Sequence, residues 1–335
     1  MQSIPVWENV SKEQFHNEIV PLNKPAVIKS LMADWSIVKA AKKSPIDFAK
    51  YIKSRDNKTQ VAALVGSPDC DGRLFYNKDF NGFNFTRKPV TLGAAITHLL
   101  NTSKKTNSPV IAIQAIPVRE FLPDFDQENA QPFLDKSVVP TMWMNNRNLV
   151  APHYDPHDNI AAVVAGRRKF TLFPPDQIKN LYLGPMLNTP AGVPISLVNI
   201  LDPDFEKFPN YREALDKGQV AFLDPGDAIY IPALWWHAVQ SLENINALVN
   251  YWWSGVSNNG LMPINSLLHS MLSISELSSD KRKAWRDYFD YLVFKLHDEP
   301  SDHLPKDLDD ITTKLSAKQE KALRDFLSAT LQKRS

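Results

Sequence analysis

The chain has 335 residues, 43% of them hydrophobic, with a formal net charge of +1. That length allows one large domain or two ordinary ones, and the near-neutral charge argues against nucleic acid or an anionic membrane as a partner. One cysteine excludes an internal disulfide framework.

The N-terminus, Met1 to Glu8, lacks the basic start and apolar run of a signal peptide, and no stretch has the roughly 18 apolar residues of a membrane span. A cytoplasmic location is expected. The 25 prolines often follow apolar runs, as in Phe173-Pro174-Pro175 and Ile231-Pro232, which is the punctuation of short strands and turns.

Residues 1–136 read as a mixed α/β region packing on a core. Ser11 to Val20, Ser44 to Ser54 and Thr91 to Leu100 are expected helices, with Pro45 in a first turn and Thr91 as an N-cap. Val61–Val65 and Val110–Gln114 are expected strands.

Residues 137–255 read as mainly β. Expected strands are Thr141–Asn145, Leu149–Asp155, Asn159–Ala165, Arg168–Phe173, Gln219–Leu223, Ala228–Ile231, His237–Ser241 and Ile245–Trp253. Short strands at this spacing predict a sandwich, jelly roll or barrel. A Pro- and Asp-rich excursion, Asp176 to Lys217, is expected over its mouth.

Residues 256–335 change to helical spacing (Trp285, Phe289, Leu292, Leu296; then Ala322, Leu323, Phe326, Leu327, Leu331). Either a helical cap or a homodimerisation element fits.

The β region carries the chemistry. His153-Tyr154-Asp155 is an H-x-D pair, and His237 follows the run Pro225 to Trp236. Residues i and i+2 of a strand share a face, so His153 and Asp155 can reach one metal while His237 closes the triangle. Two imidazoles and a carboxylate are the ligand set of non-haem Fe(II) oxygenases. His157 directly precedes Asp158, so those two point apart, and His157 is read as a loop or substrate-side residue. In Gly166-Arg167-Arg168-Lys169, alternation puts Arg168 with Phe170 and Leu172, and Lys169 with Thr171 and Phe173. Either a carboxylate-clamping arginine or a solvated basic edge fits that spacing. Trp235 and Trp236 either wall the pocket or pack in the core.

Pro152-His153-Tyr154-Asp155, Asn159, Gly166 to Lys169, Leu172 to Gln177, Asp202 to Asn210, Pro225 to Pro232, Trp235-Trp236-His237 and Asn250-Tyr251-Trp252 together resemble the JmjC/cupin-type 2-oxoglutarate-dependent oxygenases. Within them the chain is similar to the branch containing the hypoxia-inducible-factor asparaginyl hydroxylase.

The resemblance implies a double-stranded β-helix with Fe(II) on His153, Asp155 and His237. It also implies 2-oxoglutarate and O₂ as co-substrates, and release of succinate and CO₂ as a C–H bond of a protein side chain or small molecule is hydroxylated. It places Asn159 and Asn250 near metal and co-substrate, and Gln114 on the substrate side. Asp155 argues against halogenation, which needs that position vacant. Two departures stand out. The usual distal-carboxylate lysine falls at Arg168, with Lys169 its neighbour, and the usual threonine is Val150. Thr141, Asn145 and Tyr230 are candidate replacement donors. The competing functions are a cupin using another metal or co-substrate, and a non-catalytic binding module.

Overall fold

The computed structural model describes residues 1–332 except 106, 254–261, 298, 306–307, 309 and 313–314. The chain separates into two compact units, Met1–Ser257 and Asn258–Ser335. The expected boundary at 255/256 lies outside the described residues.

The N-terminal third supplies strands β1 (Gln2–Ser3), β2 (Val6–Trp7), β3 (Ala26–Ile28), β4 (Gln60–Gly66), β5 (Phe85–Thr91) and β6 (Val110–Pro117). Then come β7 (Pro140–Asn145), β8 (Leu149–His153), β9 (Asp158–Ala165) and β10 (Arg168–Phe173). β11 (Gln219–Leu223), β12 (Ala228–Ile231), β13 (Trp236–Ser241) and β14 (Asn246–Trp253) complete the set. They form a five-stranded sheet, β1-β11-β10-β13-β8, and a nine-stranded sheet, β2-β3-β12-β9-β14-β7-β6-β4-β5. This is a jelly-roll architecture of the cupin type. Residues before 137 build it too, since β6 pairs with β7 and β3 with β12.

Strand alternation decides what each side chain meets. In β9, Ala161 and Val163 face a core shared with Phe170 and Leu172 of β10, while Ile160, Ala162 and Val164 join a second core on the other face. Helical residues Ile37, Phe48, Ile52, Ile96 and Leu99 belong to that second core. Covering both faces explains why β9 reads as a nearly continuous apolar run. Burying each large apolar side chain contributes about 1.5–3 kcal/mol.

The helices Pro45–Arg55 and Leu92–Thr102 form where capping predicts them. Ser44 Oγ accepts from Asp47 N at 3.0 Å, and Thr91 Oγ1 accepts from Ala94 N at 3.2 Å. The first expected helix instead breaks into short turns of different pitch, Lys12–Gln14, Phe15–Ile19 and Val20–Leu22, the last holding Pro21. Helix Ser36–Lys43 and strand β5 were not expected. β5 carries Arg87, Lys88 and Pro89 because it is an edge strand, where charge and proline discourage further pairing.

The second unit holds helices Pro263–Ile274, Ser279–Leu292 and Ala317–Gln332, none with a buried residue. Helical spacing through Leu296 overshoots, since the helix ends at Leu292. Among the described residues, no helix is long and apolar enough to cross a membrane.

Candidate metal centre

β8 and β13 pair antiparallel with His153 directly opposite His237. That register sets the imidazole centroids 4.2 Å apart. Asp155 lies just past the strand: β8 ends at His153, two residues earlier than expected. Pro156 follows and restricts Asp155 to extended backbone, and Asp155 O accepts from Leu234 N at 2.8 Å. One ligand atom from each of His153, Asp155 and His237 lies within 4.8 Å of the others.

The surroundings fix each group. His153 Nδ1 is 2.9 Å from Ala151 O, and His237 Nδ1 is 3.0 Å from Trp235 O. A carbonyl only accepts, so each Nδ1 carries the proton and each Nε2 keeps its lone pair for a ligand. Trp252 Nε1 donates to Asp155 Oδ2 at 3.1 Å. Burial, reinforced by His153, pulls His237 down to about 4, so the ring is neutral as ligation requires. The donor set therefore fits a divalent metal, with N and O ligands as Fe(II) prefers.

The triad opens into a cavity of about 250 Å³. Arg168, only 2% exposed, lines the same cavity. Its Nη2 donates to Asn145 Oδ1 at 3.2 Å, its Nε has no partner, and it makes no ion pair among the described residues. Burial pulls this guanidinium down to about 9, still protonated at neutral pH. A buried cation without a counter-charge is costly, so the arrangement calls for an anion.

Of the expected site residues, His153, Asp155, His237, Arg168, Asn159, Asn250, Asn145 and Gln114 line this cavity. Asn250 Nδ2 donates to Asn159 Oδ1 at 2.8 Å. Five others do not line it. Lys169 alternates to the opposite face, its Nζ 6.0 Å from the Phe222 ring centroid. Tyr230 faces the outer core because Ile231 takes the inward position, and its hydroxyl donates to Asp158 at 2.9 Å. Thr141 lies near the start of β7, opposite Asn250 and Pro117 in register, and is not among the lining residues. His157 lies in the bend between β8 and β9. Trp235 packs between the sheets and acts through its carbonyl.

Sequence reasoning missed Trp143 and Asn148, which line the cavity. Trp143 was legible by alternation from Asn145. Ala191, Gly192 and Val193 of the long excursion also line it, which places that excursion at the site.

A jelly roll with two histidines and a carboxylate converging inside it defines a cupin-type protein whose cluster resembles a metal site. The family model described as the cupin-like domain matches residues 12–259, and the chain belongs to that family, the JmjC-like branch of the cupin fold. Lysine-specific demethylase JMJ31 of Arabidopsis thaliana is 35% identical over 124 residues, 36% of this chain and 22% of its own length. JmjC domain-containing protein D of Dictyostelium discoideum is 26% identical over 241 residues, 70% of this chain and 52% of its own. tRNA wybutosine-synthesizing protein 5 of Mus musculus is 27% identical over 268 residues, 75% of this chain and 77% of its own. The chain spans about half or less of the length of the first of these curated relatives.

Proposed function

We propose that the chain is an Fe(II)- and 2-oxoglutarate-dependent oxygenase. It hydroxylates a C–H bond of a protein side chain or small molecule and releases succinate and CO₂. One observation carries this reading: a single cavity is lined both by the His153–Asp155–His237 cluster and by Arg168, a buried cation with no carboxylate partner among the described residues.

Fe(II), 2-oxoglutarate and O₂ together supply the oxidising chemistry. The chain supplies position. His153 and His237 present Nε2, their rings held by backbone carbonyls. Asp155 presents a carboxylate aimed by the Trp252 indole. Arg168 takes the distal carboxylate of the co-substrate, its guanidinium steadied by Asn145. Phe170, Ile231, Val239 and Leu248 line the cavity with apolar surface that limits water. The net charge of +1 favours a protein or small-molecule substrate over nucleic acid. The single free cysteine, Cys70, suits a reducing cytoplasm.

Purified protein with Fe(II), ascorbate and 2-oxoglutarate is expected to form succinate, and His153→Ala to return it to background. Succinate formation that survives His153→Ala would contradict the proposal.

A further inference from the structure

A dicarboxylate reaching from the triad to Arg168 ends in two oxygens, with more acceptor capacity than one guanidinium edge fills. Position 150 offers no help, since Val150 lines the cavity without a hydroxyl. Asn145 is committed: its Oδ1 accepts from Arg168 and from Ser241 Oγ at 3.1 Å, and its Nδ2 donates to Asn148. The Tyr230 hydroxyl is spent on Asp158, on the far face of β12.

Two buried N–H donors on cavity-lining residues find no acceptor among the described residues: Arg168 Nε and Trp143 Nε1. An unmet buried donor is costly and calls for a partner that the protein itself does not supply.

Trp143 is well placed to share one. It stands two residues from Asn145 on β7, on the same face and about 7 Å away along the strand. Asn145 is the residue that holds the Arg168 guanidinium. On its other side the Trp143 ring meets Trp252 edge to face at 6.2 Å, and Trp252 donates to Asp155. The indole thus stands between the cationic end of the cavity and the carboxylate of the triad.

We infer that the Trp143 indole N–H joins Arg168 in holding the distal carboxylate of the co-substrate, replacing a hydroxyl that position 150 lacks. This assignment rests on the oxygenase reading. It makes Trp143 a determinant of selectivity for an oxo acid with a second carboxylate.

The test titrates the Mn(II)-loaded full chain calorimetrically with 2-oxoglutarate and with 2-oxovalerate, which keeps the oxo acid but lacks the distal carboxylate. Trp143→Phe keeps an aromatic ring and removes the N–H. Its Kd for 2-oxoglutarate is expected to rise about tenfold, as for a lost hydrogen bond to a charged group, while that for 2-oxovalerate stays within about twofold. An unchanged 2-oxoglutarate Kd, or equal loss for both ligands, overturns the assignment.

The unsubstituted chain gives an independent readout. With diamagnetic Zn(II) in place of Mn(II) and ¹⁵N-labelled tryptophan, one of the eight indole N–H signals is expected to shift with 2-oxoglutarate and not with 2-oxovalerate. No such difference overturns the assignment. If the unsubstituted chain binds neither ligand, the oxygenase reading falls and this one with it. If it binds 2-oxoglutarate and Trp143→Phe binds as well, only the Trp143 assignment falls.

Discussion

The jelly-roll core and the C-terminal unit spend the same apolar residue types on different ends. In β9, seven of eight residues are buried, because a second sheet covers one face and helices take part in the core on the other. In the helices after Met262 no residue is buried, and Leu272 stands 82% exposed. Periodicity shows that an apolar face exists; it does not say what covers it. The candidate cavity is lined in part by residues of the core between the sheets, among them Ala161, Phe170, Ile231, Val239 and Leu248. There a polar group survives only if something satisfies it, which is why the triad and Arg168 carry so much information.

Core substitutions test this contrast most strongly. Phe170→Ala, between the sheets, is expected to lower unfolding free energy by about 3–5 kcal/mol in urea titration. Comparable loss at an exposed helix position such as Leu272 would break the comparison.

Next in size is the contrast between the adjacent cations. Arg168→Ala is expected to weaken 2-oxoglutarate binding about 100-fold, the upper range for a charge-assisted hydrogen bond, while Lys169→Ala stays within about twofold. Equal losses would show that burial does not distinguish them.

A smaller effect is expected at the support of the triad. Trp252→Phe removes the hydrogen bond to Asp155 and should weaken Mn(II) binding about tenfold. Unchanged affinity would mean that the carboxylate needs no such restraint.

The smallest effect on folding concerns the exposed helices. Leu272→Ala is expected to change stability by less than about 0.5 kcal/mol. We propose that these helix faces pair two copies of the chain. Leu272→Glu should then shift the mass measured by light scattering from dimer towards monomer while succinate formation persists. A full-length chain that is monomeric at all concentrations would sink the pairing.

Much of this architecture was legible in sequence. β10, β11 and β12 fall on the expected residues, because each is a short run rich in strand-forming residues closed by a proline, Pro174, Pro225 or Pro232. The geometric core of the site was legible for the same reason. H-x-D constrains two residues locally; alternation grouped Arg168 with Phe170 and Leu172 but left open which face turns inward, and the structure shows that it is the Arg168 face.

What alternation could not give was depth along a strand. Thr141 and Trp143 share a parity, yet only Trp143 lines the cavity. Tyr230 was misplaced for a different reason. Both faces of β12 are buried, so polarity gave no sign of which face holds the site. The edge strand β5 hid behind its charges and Pro89, and β1 to β3 were too short to carry a pattern. The lining role of Ala191 to Val193 depends on a loop path that no period encodes.

The most direct test of the central claim, that one cavity holds metal and co-substrate together, is calorimetric titration with 2-oxoglutarate with and without Mn(II). One equivalent per chain is expected to bind when Mn(II) is present, with binding greatly weakened when it is withheld or when His153 is replaced by alanine. Binding of equal strength without metal, or none with it, would contradict the account.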